Sequence, residues 1–261
     1  MINISQLNEI QILAFGLILL RMSAFVFSCA IFSSPTISVA VKVLFSVVLS
    51  ILVFNSVATN EVVARISANE NQLILMSGCE LLIGLVLGFF TRIFFFALSM
   101  AGEIVSISTG LGQAQIFNPM IGSMGNAMEQ FYVTIGTLLF FSLNGHHMMI
   151  QGLVQSFSVS GLAMAQFNVE SFAEVVIKTQ EFFILGIQIS APVLISMVII
   201  QVGIALLSRA VPQINVLVTS ASVATLLSFA IIFVSLPLLV MQMSGLLDFT
   251  TVEFFKFMKS I

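Results

Sequence analysis

The chain is built from long apolar runs separated by short polar stretches. A helix that crosses the hydrocarbon core of a bilayer needs roughly 20 predominantly apolar residues. Runs of about that length predict membrane-spanning helices at 10–32, 37–58, 73–100, 130–154, 182–207 and 217–244.

The polar stretches predict the turns and surface segments between these runs. "FSSPT", 32–36, and "TNEVVARISANENQ", 59–72, separate the first three runs, and "SRAVPQIN", 208–215, separates the last two. Residues 157–181 carry charges among apolar positions, which is typical of a surface helix. The tail, 248–261, predicts a short amphipathic helix. The pattern as a whole predicts an all-α, multi-helix integral-membrane protein.

The composition agrees with this class. The chain is 59% hydrophobic and 7% charged, whereas a soluble globular protein is typically about 25% charged. No linker-like stretch divides the 261 residues, so we expect a single integral-membrane domain, 1–261. The first cation, Arg21, already lies inside the first apolar run, so we expect no cleaved signal peptide. The net charge of −3 gives no indication of a nucleic-acid partner.

The aromatic residues are distributed unusually for a membrane protein. Trp and Tyr normally anchor spanning helices at the bilayer interfaces. This chain has no Trp and a single Tyr, against 26 Phe. The cations also fall on no consistent alternate set of loops, so charge predicts no orientation. Both features favour a surface that packs against other protein as well as against lipid.

Several charged residues interrupt the apolar runs or follow them closely. Each costs about 2.5–3.5 kcal/mol at the centre of a bilayer unless it meets a partner or water. We expect Lys42, near the end of a run, to extend towards the interface, whereas Arg21 is too central for that. The set comprises Arg21, Lys42, Glu80, Arg92 and Glu103.

Four residues of the third run recur at steps of four. Glu80, Gly84, Gly88 and Arg92 therefore form one slowly drifting stripe on a helix. A GxxxG pair allows a neighbouring helix to approach closely. We predict that the stripe lies in a seam, either within the chain or with another protein, although GxxxG also occurs by chance in apolar helices.

The stretch "GLGQAQIFNPMIGSMGNAM", 110–128, contains no charge and many residues that break helices. Met120, Met124 and Met128 recur at steps of four, and methionine packs against irregular surfaces. Non-helical backbone at membrane depth is tolerated where it lines a protein cavity. The residues alone leave two alternatives open, a segment inside such a cavity and a re-entrant or disordered connector.

The sequence contains no recognisable catalytic or metal-binding set. His146 and His147 are the only histidines, point to different faces of a helix, and have no carboxylate or Cys nearby. No nucleophile elbow, phosphate-binding loop or HExxH motif is present. We therefore predict a protein that is not an enzyme and has no cofactor.

Three blocks carry a resemblance to a known family. They are "EIVSISTGLGQAQIFNP", 103–119, "LLFFSLNGHHMMI", 138–150, and "RAVPQINVLV", 209–218. In their order and spacing the chain resembles the FliR family of flagellar biosynthetic proteins, whose virulence-secretion homologues (SctT) share the pattern. The resemblance covers nearly the whole chain. Residues 110–112 are Gly-Leu-Gly, whereas the usual sequence of the family at this place is closer to Gly-Leu-Ser.

The resemblance implies a function and a set of partners. A FliR-like chain is a structural and gating subunit of the flagellar type III protein export channel, needed for flagellum assembly. It joins five FliP and four FliQ subunits, with FlhB at the entrance, and unfolded exported proteins pass through. The implied location is the bacterial inner membrane at the flagellar basal body, with part of the assembly above the bilayer plane.

The resemblance also implies an internal division. Residues 1–181 correspond to a FliP-like part, and 182–261 to a FliQ-like helical hairpin with an amphipathic tail. "SAPVLISMVIIQVGIALLSRAVPQIN", 190–215, is similar to the FliQ pattern. The predicted hairpin turn contains Pro212, Gln213 and Asn215.

The segment that begins near Gly110 corresponds to the part of the family that helps to plug the closed channel. Its lack of charge fits a closure through which unfolded chains must pass. The residues assigned to this plug are Gly110, Leu111, Gly112, Gln113, Phe117, Asn118, Pro119, Met120 and Met124.

A second function, from a different class, is a secondary transporter of a small solute. Glu80, Arg92 and Glu103, with broken helices, would then form the binding site. That function predicts inverted internal repeats. None is visible in the sequence beyond the similarity of the hairpin to FliQ.

Overall fold

The computed structural model describes residues 9–33, 37–68, 72–112, 126–162, 169–210 and 216–260. Within these ranges the chain is helical and contains no strand, which confirms the all-α prediction. The helices, numbered here in chain order, are α1 Glu9–Ser28, α2 Ala30–Ser33, α3 Val39–Val57, α4 Asn60–Ala68, α5 Leu73–Thr109, α6 Ala127–Ser142, α7 Gly145–Val159, α8 Val169–Ala210 and α9 Val216–Ser260.

Five helical segments of the described chain are long and apolar enough to cross a membrane. This agrees with the predicted integral-membrane class. The segments are Glu9–Ser28, Val39–Val57, Leu73–Thr109, Val175–Arg209 and Val223–Lys259.

The predicted spanning helix at 130–154 is wrong. The chain breaks there into α6 and α7, and Asn144 between them has φ 57°. Asn adopts this left-handed conformation more readily than most residues, and the following Gly145 is buried at the start of α7. Neither helix alone is long enough to appear among the candidate spans.

Three helices are longer than their apolar runs. Helix α5 continues past Glu103 to Thr109, α8 begins at Val169 within the predicted surface helix, and the predicted tail is continuous with α9. Glu253 in this tail is 5% exposed, and it accepts from Lys256 Nζ at 2.7 Å and lies 3.8 Å from Lys178 Nζ. Such pairing lets a helix continue through charged residues that end an apolar run.

The chain divides into two compact units. The first contains the described residues within 1–93, 145–178 and 249–261. Here α1 packs along α3, and the last turns of α9 lie against α5 and α7. The Phe254 ring covers Gly152 and lies 6.1 Å from the Phe90 ring, centroid to centroid.

The second unit contains the described residues within 94–144 and 179–248. The last part of α5 packs against α6, with the rings of Phe94, Phe95 and Phe140 clustered at centroid distances of 5.0–5.9 Å. Helix α8 also approaches α5 closely, because a Cβ at Gly186 would lie 3.0 Å from the Ala97 carbonyl oxygen. The contact between α5 and α8 therefore depends on small residues.

Candidate functional site

Helix α5 ends in a tight turn at residues 110–112. Gly110 has φ 80°, and its N–H donates to the Ile107 carbonyl at 3.2 Å. The Gly112 N–H then donates to the Ser106 carbonyl at 3.1 Å. Helices commonly end with a residue in the left-handed conformation, where the following N–H groups donate to the last carbonyls of the helix. Glycine adopts this conformation without the steric cost that a Cβ brings.

The other end of the connecting segment is set by Asn126. Its Oδ1 accepts from the Met128 N–H at 3.1 Å and caps the start of α6. Its Nδ2 donates to Glu103 Oε2 on α5 at 2.8 Å. A single amide, only 4% exposed, therefore begins one helix and binds the other.

Close packing supports this bond. A Cβ at Gly102 would lie 2.6 Å from Glu129 Cα, so the two helices touch backbone to backbone at this point. The Ser99 hydroxyl donates to the Glu129 carboxylate, and further along a Cβ at Gly136 would overlap Leu98. The paired ends of α5 and α6 therefore have a fixed separation and register.

The structure covers only part of the predicted plug. Gly110, Leu111 and Gly112 lie at the end of α5, with half-buried side chains or backbone. The other plug residues named from the sequence lie outside the described residues. They are Gln113, Phe117, Asn118, Pro119, Met120 and Met124.

Sequence reasoning missed the anchoring residues Asn126, Glu129 and Gly102. A signal for two of them was present, because Asn followed three residues later by Glu, just before an apolar run, marks a helix start. In the usual motif the Glu side chain turns back to the cap residue. Here Glu129 instead accepts from Ser99, so only the structure identifies it as a contact between helices.

Arg21 lies at the centre of a buried polar network in the first unit. Its Nε donates to Glu80 Oε2 at 2.5 Å, and both side chains are 0% exposed. Its Nη1 donates to Ser156 Oγ at 3.0 Å, and its guanidinium carbon lies 4.2 Å from the centroid of the Phe157 ring. The network joins α1, α5 and α7 and pairs two charges that would be costly alone in an apolar interior.

Two glycines of the predicted stripe lie beside this network, facing α1. A Cβ at Gly84 would overlap the Arg21 carbonyl oxygen, and one at Gly88 would lie 2.6 Å from Ser28 Cβ. Arg92, by contrast, is exposed. Successive helical residues are about 100° apart, so Arg92, twelve positions after Glu80, points about 120° away from Glu80 around the helix axis.

The last predictions from the sequence concern the hairpin turn, the two histidines and metal binding. Pro212, Gln213 and Asn215, assigned to the hairpin turn, lie outside the described residues, between the end of α8 and the start of α9. His146 and His147 have ring centroids 4.5 Å apart. The described part of the chain holds no group of three or more His, Cys, Asp or Glu side chains able to bind a metal.

Comparison with known proteins gives a consistent result. The family model described as "Bacterial export proteins, family 1" matches residues 12–250. The "Flagellar biosynthetic protein FliR" of Bacillus subtilis is 26% identical over 240 residues, 91% of each chain. That of Aquifex aeolicus is 34% identical over 169 residues, 64% of each chain. The "Yop proteins translocation protein T" of Yersinia pestis is 31% identical over 155 residues, 56% of this chain and 57% of the relative.

Proposed function

The chain belongs to the bacterial export proteins of family 1, and on that premise we propose that it is a structural and gating subunit of the export channel. Membership makes it an inner-membrane component of a flagellar or type III export apparatus. This confirms the resemblance to the FliR family and excludes the solute transporter. The gating role, the partners and the position at the basal body are proposals.

The gating proposal is carried by one observation. An uncharged connecting segment leaves α5 at Gly110 and enters α6 at Asn126, and both ends are held against one closely packed helix pair. The two points at which the segment joins the helices therefore have fixed positions relative to each other. Phe117, Met120 and Met124 would supply an apolar seal against ions, and the absence of charge would limit adhesion to a passing chain.

The partner proposal is supported by the exposed apolar faces of α8 and α9. Phe233 and Val234 are 75% and 79% exposed, and Ile199 on α8 is 67% exposed. Faces of this kind fit either lipid or neighbouring helices. Together with family membership, they favour lateral packing against FliQ-like helices as part of an assembly with five FliP, four FliQ and FlhB. We further infer that the chain has no catalytic activity and no cofactor, because it belongs to a family of export-apparatus components.

The experiment that tests gating is deletion of 111–121. We expect the complex to assemble and to become permeable to small ions, because the apolar closure is lost while the helix pair keeps its glycine contacts. Ion leak is measured as potassium efflux from cells that express the complete apparatus, and assembly by co-purification of the other subunits. A deletion within 163–168, which connects α7 and α8, is the matched control and should not leak. An assembled 111–121 deletion complex that stays ion-tight would refute the gating role.

A further inference from the structure

Arg92 is the single charged residue in the central part of α5. No other Asp, Glu, Lys or Arg occurs between Glu80 and Glu103. At about 1.5 Å per residue, the stretch 81–102 extends about 33 Å, close to the roughly 30 Å of a bilayer's hydrocarbon core. Arg92 lies in the middle of this stretch, about 15 Å along the helix from either end. Its side chain is too short to extend to a membrane surface, as a cation near the end of a span does.

The side chain of Arg92 also points away from the rest of the chain. It is exposed, and it forms no ion pair, hydrogen bond or ring contact with any residue that the structure describes. Leu81, Leu85 and Phe89 are exposed as well, and the helical repeat places each within about 60° of Arg92 around the axis. We name these four residues the Arg92 face, which is apolar apart from one cation.

The other arginine in the middle of an apolar helix of the first unit has a partner within the chain. Arg21 is 0% exposed and lies 2.5 Å from Glu80. A charged side chain at the centre of a bilayer costs about 2.5–3.5 kcal/mol unless it meets a partner or water. The same cost applies to Arg92, and no described residue of the chain offsets it. We therefore expect the anion that pairs with Arg92 to come from another molecule.

We propose that the Arg92 face is a docking surface for a membrane helix of another subunit of the export apparatus, and that an Asp or Glu carboxylate on this helix pairs with the Arg92 guanidinium. The inference rests on the proposal that the chain is a subunit of an assembly, but it concerns α5 and not the faces of α8 and α9. Lipid phosphates lie at the membrane surfaces, about 15 Å from Arg92, and are too distant to be the anion. A guanidinium binds a carboxylate through two parallel N–H···O bonds, and the apolar residues of the face would pack beside that pair.

Three variants test the proposal by quantitative co-purification of the other subunits from cells with the complete apparatus. Arg92→Met should lower their yield about tenfold or more, because the partner's carboxylate is left at the interface without its cation. Arg92→Lys keeps a point charge but not the bidentate geometry, and its yield should fall no more than about threefold. Lys259→Met is the matched control, since it removes another exposed cation from the last turn of α9, and its yield should not change.

Two further measurements separate docking from a role within the chain. The full chain expressed alone should melt at the same temperature with Arg92→Met as without it, followed by far-ultraviolet circular dichroism, because no contact within the described chain is lost. A photo-reactive amino acid in place of Leu85 should cross-link to another subunit of the complex. Arg92→Glu should be rescued by a change of Asp or Glu to Lys in that same subunit.

The outcomes distinguish this proposal from the assembly on which it rests. If the unaltered chain co-purifies with its partners and Arg92→Met does so equally well, the docking proposal is overturned and the assembly stands. If the unaltered chain co-purifies with no other subunit, both are overturned together. A lower melting temperature of Arg92→Met in the chain alone would assign the guanidinium a role within the chain and overturn docking. Cross-linking from position 85 to lipid alone would overturn it as well.

Discussion

The buried pair of Arg21 and Glu80 gives a prediction whose size follows from the structure. Arg21→Met keeps a long, flexible side chain but removes the positive charge and its donors. Glu80 then remains 0% exposed without the guanidinium that it contacts at 2.5 Å. Removing one partner of such a pair costs about 3–5 kcal/mol, because the remaining charge stays buried without its ion-pair partner. Glu80→Leu should cost a similar amount, since it leaves the guanidinium buried.

The double variant Arg21→Met/Glu80→Leu should be more stable than either single variant. Neither charge of the pair remains, and apolar replacement of a buried ion pair is often neutral or stabilising. Ser156 Oγ keeps its own bond to the Leu153 carbonyl at 2.7 Å, so it does not become unsatisfied. The remaining losses are the contact of Arg21 with the Phe157 ring, worth about 2 kcal/mol when desolvated, and the hydrogen bond from Arg21 Nη2 to the Ser160 carbonyl, which at 3.5 Å is long and contributes little. We therefore expect the double variant to lose no more than about 2 kcal/mol.

The assay compares thermal unfolding of the four proteins, followed by far-ultraviolet circular dichroism, in detergent with the subunits that co-purify. Helical signal suits this chain, because it has no Trp to report by fluorescence. Both single variants should melt well below the double variant, which should melt close to the unaltered protein. If the double variant instead loses about the sum of the two single losses, the two charges do not compensate each other and the reasoning is wrong.

Two further predictions concern packing within the chain and against its neighbours. Gly88→Leu should destabilise the first unit and reduce co-purification of the partners, because its Cβ would lie 2.6 Å from Ser28 Cβ. The control is Gly78→Leu on the same helix, which should preserve stability because nothing lies within 4 Å of its Cβ. Equal stability of the two variants would contradict the predicted packing of Gly88 in a seam. Cysteines at Gln213 and Val234 should cross-link to FliQ-like or FlhB-like subunits, whereas a cysteine at the buried Leu239 should not. If membrane-soluble maleimides show that positions 213 and 234 are exposed to lipid alone, lateral packing is contradicted.

The sequence predicted the spanning helices where hydropathy and helix length coincide. The predicted runs at 10–32 and 37–58 differ from α1 and α3 by one to four residues at each end. Prediction was wrong where a local backbone feature decides the structure, as at Asn144. Hydropathy averages over about twenty residues and does not register one left-handed residue, although the dipeptide Asn-Gly at 144–145 was itself a turn signal.

The candidate site was only partly predictable for a different reason. Spacing indicates which residues share a helix face, so Glu80, Gly84 and Gly88 were identified together. Spacing carries no information about what faces them, and the identity of Arg21 as the partner of Glu80 depends on packing between residues 59 positions apart. The hydrogen bond from Asn126 to Glu103 is of the same kind, since Glu103 lies on α5, Asn126 caps α6, and Gly102 allows the two helices to approach closely.

The same packing explains why charge predicts no orientation for this chain. The positive-inside rule works when cations lie in loops and meet the membrane surface directly. Here Arg21 is fully buried beside Glu80, and Lys42 is only 8% exposed within α3. Lys178 lies near Glu253 rather than in a loop. Because these cations are used for contacts inside the protein, their positions in the sequence report internal packing and not the side of the membrane. Orientation must therefore be set by residues other than these, by the partners, or by both, and charge reversal at Arg21 would alter stability without inverting the chain.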